Sequence, residues 1–450
     1  MNRQPGLAKL ILVILATSLL LSSCLYSKPD NINPSDKTDD IPSSSPEPSK
    51  DVSEPSETGN NPGSRLISET GEIVGDIDDL LTSMTLEEKI GQMFFIGRRT
   101  DENGQPQLSL DSSLKTVIDK YKPGGFIFFA ENLDNIDQTV SFINSLQETS
   151  RIPMFIGIDE EGGIVTRLNR AEALHSTFMP EPFVIGRTNN SEYAYRASKA
   201  IAKEVKSLGF NLNFAPVADV FSNPSNKVIG RRAYSDDANI AAEMVSEAVK
   251  GAVDAQIIPV IKHFPGHGDT LQDSHTGIAI VENNIDRLRK VEFLPFKAGI
   301  NAGAGMVMTA HVLTPHITDD NLPATLSKTM LQDYLRNELG FDGVIITDGL
   351  EMSAISAYYS EEEAVVMAVE AGVDMLLLPR DFEKAFNSIL EAVRANLISE
   401  ERIDESVRRI LTLKKESKIS FEKSDLDPNE VLGSPEHRAL AESIRKDSQP

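Results

Sequence analysis

Eight short apolar runs punctuate this chain, at 93–97, 125–129, 154–158, 210–217, 257–261, 306–309, 344–347 and 375–378. Each is short enough to be a buried strand rather than a helix. Amphipathic stretches of helical period lie between them, clearest at 192–208, 240–255, 285–302, 328–339 and 361–371. Apolar strands separated by helices predict a parallel sheet covered on its outside. Eight such units in roughly 340 residues predict a (β/α)8 TIM-type barrel in preference to an open doubly wound sheet. The first two units fit least well, because Gly104 to Pro106 interrupt the pattern.

A barrel demands that chemistry gather where the strands end, at one mouth. The third run leads into Asp159-Glu160-Glu161-Gly162-Gly163, the fifth into Lys262-His263, the sixth ends Thr309-Ala310-His311, and the seventh ends Thr347-Asp348-Gly349. The densest of these stretches is Lys262-His263-Phe264-Pro265-Gly266-His267-Gly268-Asp269-Thr270, continued by Leu271-Gln272-Asp273-Ser274-His275. It holds three of the seven histidines between glycines, so a loop carrying chemistry is expected here.

Outside the barrel the chain has a different character. Lys9 and an apolar run from Leu10 to Leu21 precede Leu21-Ser22-Ser23-Cys24, which resembles a bacterial lipobox closing a signal peptide over 1–23. Cys24 is the one cysteine, which excludes an internal disulfide and marks the residue a lipid would modify; a plain cleaved signal with an incidental Cys is the alternative. Residues 24–70 are rich in Pro, Ser and Asp and poor in aliphatics, so they read as a disordered tether. The catalytic domain is expected over 71–420, with Thr85-x-x-Glu88 as a capping box near its start. A polar tail over 421–450 carries one amphipathic piece at 436–445. The net charge of −24 excludes a nucleic-acid partner of the usual kind, which needs a basic surface.

Several side chains carry alternative readings. Asp348 would emerge at the top of the barrel as a nucleophile, or it caps the next helix. Asp273 and His275, two residues apart, form a general acid/base pair or a solvated turn. Asp159, Arg232, Lys262 and His263 could present donors and acceptors to the hydroxyls of a sugar. Arg167 and Arg231 could do the same, or pair with Glu160 and Glu161. His263, His267, Asp269, Asp273, His275, His311 and Asp348 include zinc-ligand types, but the spacing of a metal motif is missing. No phosphate-binding glycine loop occurs.

Lys-His-Phe-Pro-Gly-His-Gly-Asp-Thr at 262–270 followed by Asp-Ser-His at 273–275 resembles the β-N-acetylglucosaminidase branch of glycoside hydrolase family 3. Ile158-Asp159-Glu160-Glu161-Gly162-Gly163 with Arg167-Leu168, Gly230-Arg231-Arg232-Ala233-Tyr234, and Gly340-Phe341-Asp342-Gly343 through Thr347-Asp348 resemble other motifs of that family in the same order. The likeness spans roughly 80–415. Ala233 and Tyr234 stand where the family usually has Ser and Phe, and 433–448 resembles the opening of the second α/β domain that many relatives carry.

The resemblance implies a retaining exo-β-N-acetylhexosaminidase that needs no metal or organic cofactor. It acts on terminal β-linked N-acetylglucosamine in peptidoglycan fragments or chitin-type oligosaccharides. It further implies Asp348 as nucleophile, His275 as acid/base oriented by Asp273, and Asp159, Arg167, Arg232, Lys262 and His263 as holders of the sugar. With the lipobox, the expected location is the extracytoplasmic face of the cell membrane, held by a lipid on Cys24. Transfer of the sugar to phosphate, a metal-dependent hydrolase and a non-catalytic sugar-binding lipoprotein are the alternatives.

Overall fold

The parity of the strand residues explains how the barrel packs. Phe94 lies against Phe382 and Phe386 of an outer helix, ring centroids 5.2 and 6.2 Å away, so its neighbour Phe95 must face inward. Inside, Phe95 meets Phe155 at 6.4 Å and Phe214 at 5.3 Å. Gly125 and Gly157 make room for them: a Cβ on Gly125 would stand 2.6 Å from the Phe95 ring, and one on Gly157 2.8 Å from Phe214. Aromatic bulk therefore fills the interior only because glycines face it on neighbouring strands.

The computed structural model describes residues 66–271 and 277–449. Cys24, the signal and most of the tether lie outside these residues, as do Asp273 and His275. The strands are β1 (Phe94–Gly97), β2 (Gly125–Phe128), β3 (Phe155–Ile158), β4 (Leu212–Asn213), β5 (Ile258–Phe264), β6 (Ala279–Ile280), β7 (Met306–Thr309), β8 (Val312–Leu313), β9 (Val344–Thr347) and β10 (Leu376–Leu377). Eight form one parallel sheet in the order β10-β1-β2-β3-β4-β5-β7-β9, and the bridge between Ile346 and Met375 closes the ring. This is the predicted (β/α)8 barrel. The other two, β6 and β8, pair with each other beyond the ends of β5 and β7. Among the described residues no helix is long and apolar enough to cross a membrane.

All eight predicted strands are present, yet some are shorter and some helices are broken. Within 210–217 only Leu212–Asn213 is regular strand, because Pro216 has no N–H for the ladder; pairing resumes at the bridge between Val217 and Lys262. The stretch 285–302 is two helices, Ile285–Lys290 and Phe293–Asn301. Pro295 cannot donate to the carbonyl of Val291, so the helix restarts there. Residues 328–339 hold a π-helix, Thr329–Glu338, in which Leu339 N reaches the Tyr334 carbonyl at 2.9 Å. The capping box forms as read: Glu88 N donates to Thr85 Oγ1 and Thr85 N to Glu88 Oε2.

Near the tail, the helix Pro435–Asp447 buries Leu440, Ala441 and Ile444 and packs on the helix Ser191–Ser207. Glu204, 3% exposed, joins the two. It accepts hydrogen bonds from Gly433 N at 3.1 Å and from the Thr177 hydroxyl at 2.6 Å, and its Oε1 lies 2.9 Å from His437 Nδ1. The segment after the barrel is thereby tied to the loop that follows β3.

At the opposite end of the strands, Lys414 lies 1% exposed with Nζ 2.8 Å from Gln92 Oε1 and 4.9 Å from the centre of the Phe155 ring. Burial pushes its ammonium down to about 7. The unfolded chain, with a pKa near 10.4, keeps the proton over a window in which the folded chain has lost it, so stability rises with pH from about 7 to about 10.4. Lys414→Met should remove this penalty and raise stability by about 1–3 kcal/mol below pH 7, with the gain vanishing near pH 10. Urea unfolding at pH 6 and 10 checks this; a variant less stable at both would show that the ammonium stabilises the fold.

Candidate active site

Strand β3 leads into three consecutive acids, of which Asp159 and Glu161 join one ion network at the mouth. Asp159 continues the inward parity of Phe155 and Gly157, and its Oδ1 lies 2.7 Å from Lys262 Nζ at the end of β5. Its Oδ2 lies 3.3 Å from Arg167. Lys262 Nζ is also 2.7 Å from Glu161 Oε1, and Glu161 in turn receives two bonds from Arg232, at 2.9 and 2.8 Å. Arg232 touches His263 Nε2 at 3.4 Å. A guanidinium only donates, so in the neutral ring Nε2 accepts and Nδ1 carries the hydrogen that goes to Asp219, 2.8 Å away. Asp219 also receives the His267 amide at 2.6 Å. Arg167, Lys262 and Arg232 are thus interleaved with Asp159, Glu161 and Asp219, so three cations face three carboxylates across β3, β4 and β5.

The electrostatics follow from burial and pairing. Burial alone would raise the carboxyl of Asp159, but Lys262 and Arg167 hold it below the usual value. Burial likewise opposes ionisation of Glu161, and Arg232 and Lys262 override it. Asp219 stays low against its own burial through His263 and His267. Glu160 turns the other way: burial pushes it up to about 7 despite the amides of Arg167 and Leu168, which donate to its Oε2 at 2.7 and 3.0 Å. Those two bonds fix the backbone that carries Arg167.

On the far side of the mouth stand β7 and β9. Asp348 follows β9, half-buried, with its amide bonded to the Thr309 carbonyl at 3.2 Å and its Oδ1 accepting from Gly349 N at 2.8 Å. Helix capping does not employ it: the next helix, Ser353–Ser356, is preceded by Met352 and has no side-chain cap. His267 is 2% exposed with Nδ1 2.6 Å from Thr270 Oγ1. Burial lowers its imidazole, against the pull of the Asp219 carboxylate.

Of the residues singled out in the sequence, Asp159, Arg167, Arg232, Lys262 and His263 come together in one network, and Asp348 stands two barrel strands beyond Lys262. Asp273 and His275 lie outside the described residues. Before that stretch, Asp269 accepts from Ser222 at 2.9 Å and from Asn283 at 2.7 Å, and its carbonyl from Asn223 at 3.0 Å. The arginines do pair with acids, but not with Glu160 and Glu161 in the way the second of the two alternatives had it. Arg167 pairs with Asp159 and Arg231 with Glu181, while Arg232 takes Glu161. Asp219 went unnoticed in the sequence, although an Asp closing Val217-Ala218-Asp219 after the fourth run is the same signal that marked Asp348. Among the described residues no group of His, Cys, Asp and Glu is arranged to hold a metal; His263 faces Asp219 and Arg232, and His267 faces Thr270.

Buried donors and acceptors on rigid strand ends, beside a carboxylate across the mouth, suit recognition of a polyhydroxylated ligand and nucleophilic chemistry upon it. Known proteins agree with this architecture. The Glycosyl hydrolase family 3 N terminal domain matches residues 85–413. Beta-hexosaminidase A of Pseudoalteromonas piscicida is 36% identical over 395 residues, covering 80% of this chain and 65% of that protein, so the chain spans less than two thirds of that relative. A Beta-hexosaminidase of Stenotrophomonas maltophilia (strain K279a) is 33% identical over 277 residues, 59% of this chain and 79% of that one. The structure of a glycoside hydrolase family 3 beta-N-acetylglucosaminidase from Paenibacillus sp. str. FPU-7 superposes with a TM-score of 0.76 at 39% identity, covering 81% of this chain and 69% of the other. With the match extending over the whole barrel and both faces of its mouth, the chain belongs to glycosyl hydrolase family 3.

Proposed function

We propose that this chain is a retaining exo-β-N-acetylhexosaminidase that hydrolyses the glycosidic bond of terminal β-linked N-acetylglucosamine in peptidoglycan fragments or chitin-type oligosaccharides. The observation that carries the reading is the placement of Asp348 after β9, across the mouth from the Asp159–Lys262–Glu161–Arg232 network. That network is spatially fixed by its own ion pairs, so a sugar can be gripped without the protein reorganising.

In this mechanism Asp348 attacks the anomeric carbon as the bond to the leaving oxygen breaks, and His275, oriented by Asp273, gives that oxygen its proton. The glycosyl-Asp ester is then opened by water, from which His275 takes a proton. Asp159, Arg167, Arg232, Lys262 and His263 hold the ring's hydroxyls. Selectivity for the 2-acetamido group is expected, because a pocket that bonds it leaves polar groups unpaired around plain glucose.

The test is product release from aryl β-N-acetylglucosaminide and aryl β-glucoside, with and without phosphate. A form beginning at Arg65, without the signal, Cys24 and most of the tether, is the assay enzyme; it is expected in the soluble fraction, and its retention on membranes would contradict attachment through Cys24. Free N-acetylglucosamine from the first substrate, at a kcat/KM at least about a hundredfold above the second, supports the reading. Sugar 1-phosphate as the main product would make the chain a phosphorylase, and release from neither substrate would leave it a binding protein.

A further inference from the structure

His311 has no part in the chemistry above, although it stands beside it. It follows β7 and is 1% exposed. Its Nε2 lies 3.1 Å from the carbonyl oxygen of Gly349, the residue after Asp348. A carbonyl only accepts, so Nε2 carries the hydrogen. Nδ1 lies 2.8 Å from the Thr325 hydroxyl, which donates to the Ala310 carbonyl at 3.0 Å and lies 2.8 Å from the Thr309 hydroxyl. These contacts hold the ring between Thr325 and Gly349, with Nε2 turned to the Gly349 carbonyl.

Gly349 is the point where this chain of bonds meets Asp348. Its N–H donates to Asp348 Oδ1 at 2.8 Å, and its carbonyl accepts from Met352 N at 3.0 Å as well as from His311. The next two amides, of Leu350 and Glu351, are bonded to the carbonyls of Leu377, which ends β10, and of Leu378, at 3.0 and 3.1 Å. The turn after Asp348 is therefore pinned from β10 on one side and from His311 on the other. A carboxylate oxygen that accepts a hydrogen bond is the poorer nucleophile of the two, which leaves Oδ2 to attack.

Resting on the hydrolase reading, we infer that His311 is a positioning residue for the nucleophile: its Nε2–H holds Gly349, whose N–H binds Oδ1 of Asp348 and directs Oδ2 at the anomeric carbon. The bond formed is Oδ2 to the anomeric carbon and the bond broken is that to the leaving oxygen, so His311 neither gains nor loses a proton in the step. A displacement of an ångström at the attacking atom costs about a hundredfold in rate, which sets the scale of the effect.

Two variants separate positioning from packing. His311→Phe fills the site without a donor, and His311→Gln returns an N–H near the place of Nε2. His311→Phe is expected to lower kcat on the aryl β-N-acetylglucosaminide about a hundredfold with unchanged inhibition by free N-acetylglucosamine, and His311→Gln to recover to within about tenfold of the parent. Parent-like kcat in His311→Phe, equal losses in the two variants, or a loss of N-acetylglucosamine affinity matching the loss of kcat would each overturn the inference. Should the parent itself release no sugar, the hydrolase reading fails, and the 15N shifts of the parent's His311 ring decide the contact by themselves: a hydrogen on Nε2 supports it and a bare Nε2 refutes it.

Discussion

Asp348→Asn should lower kcat on an aryl β-N-acetylglucosaminide by at least about a thousandfold while binding of free N-acetylglucosamine stays as it was. The change is close to isosteric, and the Asn Oδ1 can still accept the Gly349 amide that Asp348 accepts at 2.8 Å. The side chains assigned to the sugar come from other elements, with Asp159 following β3, Lys262 and His263 in β5, and Arg232 in the loop between β4 and β5, so their ion pairs do not depend on the charge at 348. An aryl leaving group departs with little help from an acid. The loss therefore isolates the nucleophile rather than the acid/base. Parent-like kcat in the variant would remove Asp348 from the mechanism.

Glu161→Gln is expected to destabilise the fold by about 3–5 kcal/mol, read as a fall in Tm of about 5–10 °C. The Glu161 side chain is 1% exposed and holds Nε and Nη2 of Arg232 and the Lys262 ammonium. Lys262 keeps Asp159 as a second partner at 2.7 Å, whereas Arg232 is left with a backbone carbonyl at 3.1 Å and the His263 ring. A buried cation without its counter-charge is the costly outcome. Burial disfavours the Glu161 anion, and Arg232 and Lys262 more than compensate, so its folded carboxyl lies below the usual range. A depressed carboxyl stabilises the fold above the unfolded value, near pH 4.3, and loses that effect as pH falls below it. The difference between parent and variant should thus be full at pH 7 and shrink in acid. A scanning calorimetry trace with unchanged Tm at pH 7 would show that the ion network does not hold the mouth together.

The barrel was legible because its strands are buried on both faces and therefore apolar without interruption, and the runs at 306–309 and 344–347 coincide with β7 and β9 to the residue. Proline effects were harder to read. Pro216 shortened the fourth run and Pro295 divided the helix at 285–302, in each case by removing a donor that a period count does not register. At the mouth, residues at or just after strand ends could be named from order alone, which located Asp159, Lys262, His263 and Asp348, although β5 runs on through Lys262 and His263 to Phe264. Partnerships could not. That Arg232 pairs with Glu161, and that His263 rests on an Asp219 from β4's loop, depends on which strands are neighbours around the ring. His311 shows the same limit: it was visible as a histidine after a strand, while its hold on Gly349 arises only from the adjacency of β7 and β9.

The central claim is a covalent bond between the sugar and Asp348, and the most direct measurement is mass spectrometry of the protein after reaction with a slowly released fluoro-N-acetylglucosaminyl donor. The account predicts one added glycosyl mass, carried by the peptide that contains Asp348 and missing from Asp348→Asn. An unmodified parent turning over the same donor, or the sugar mass on a peptide without Asp348, would contradict it.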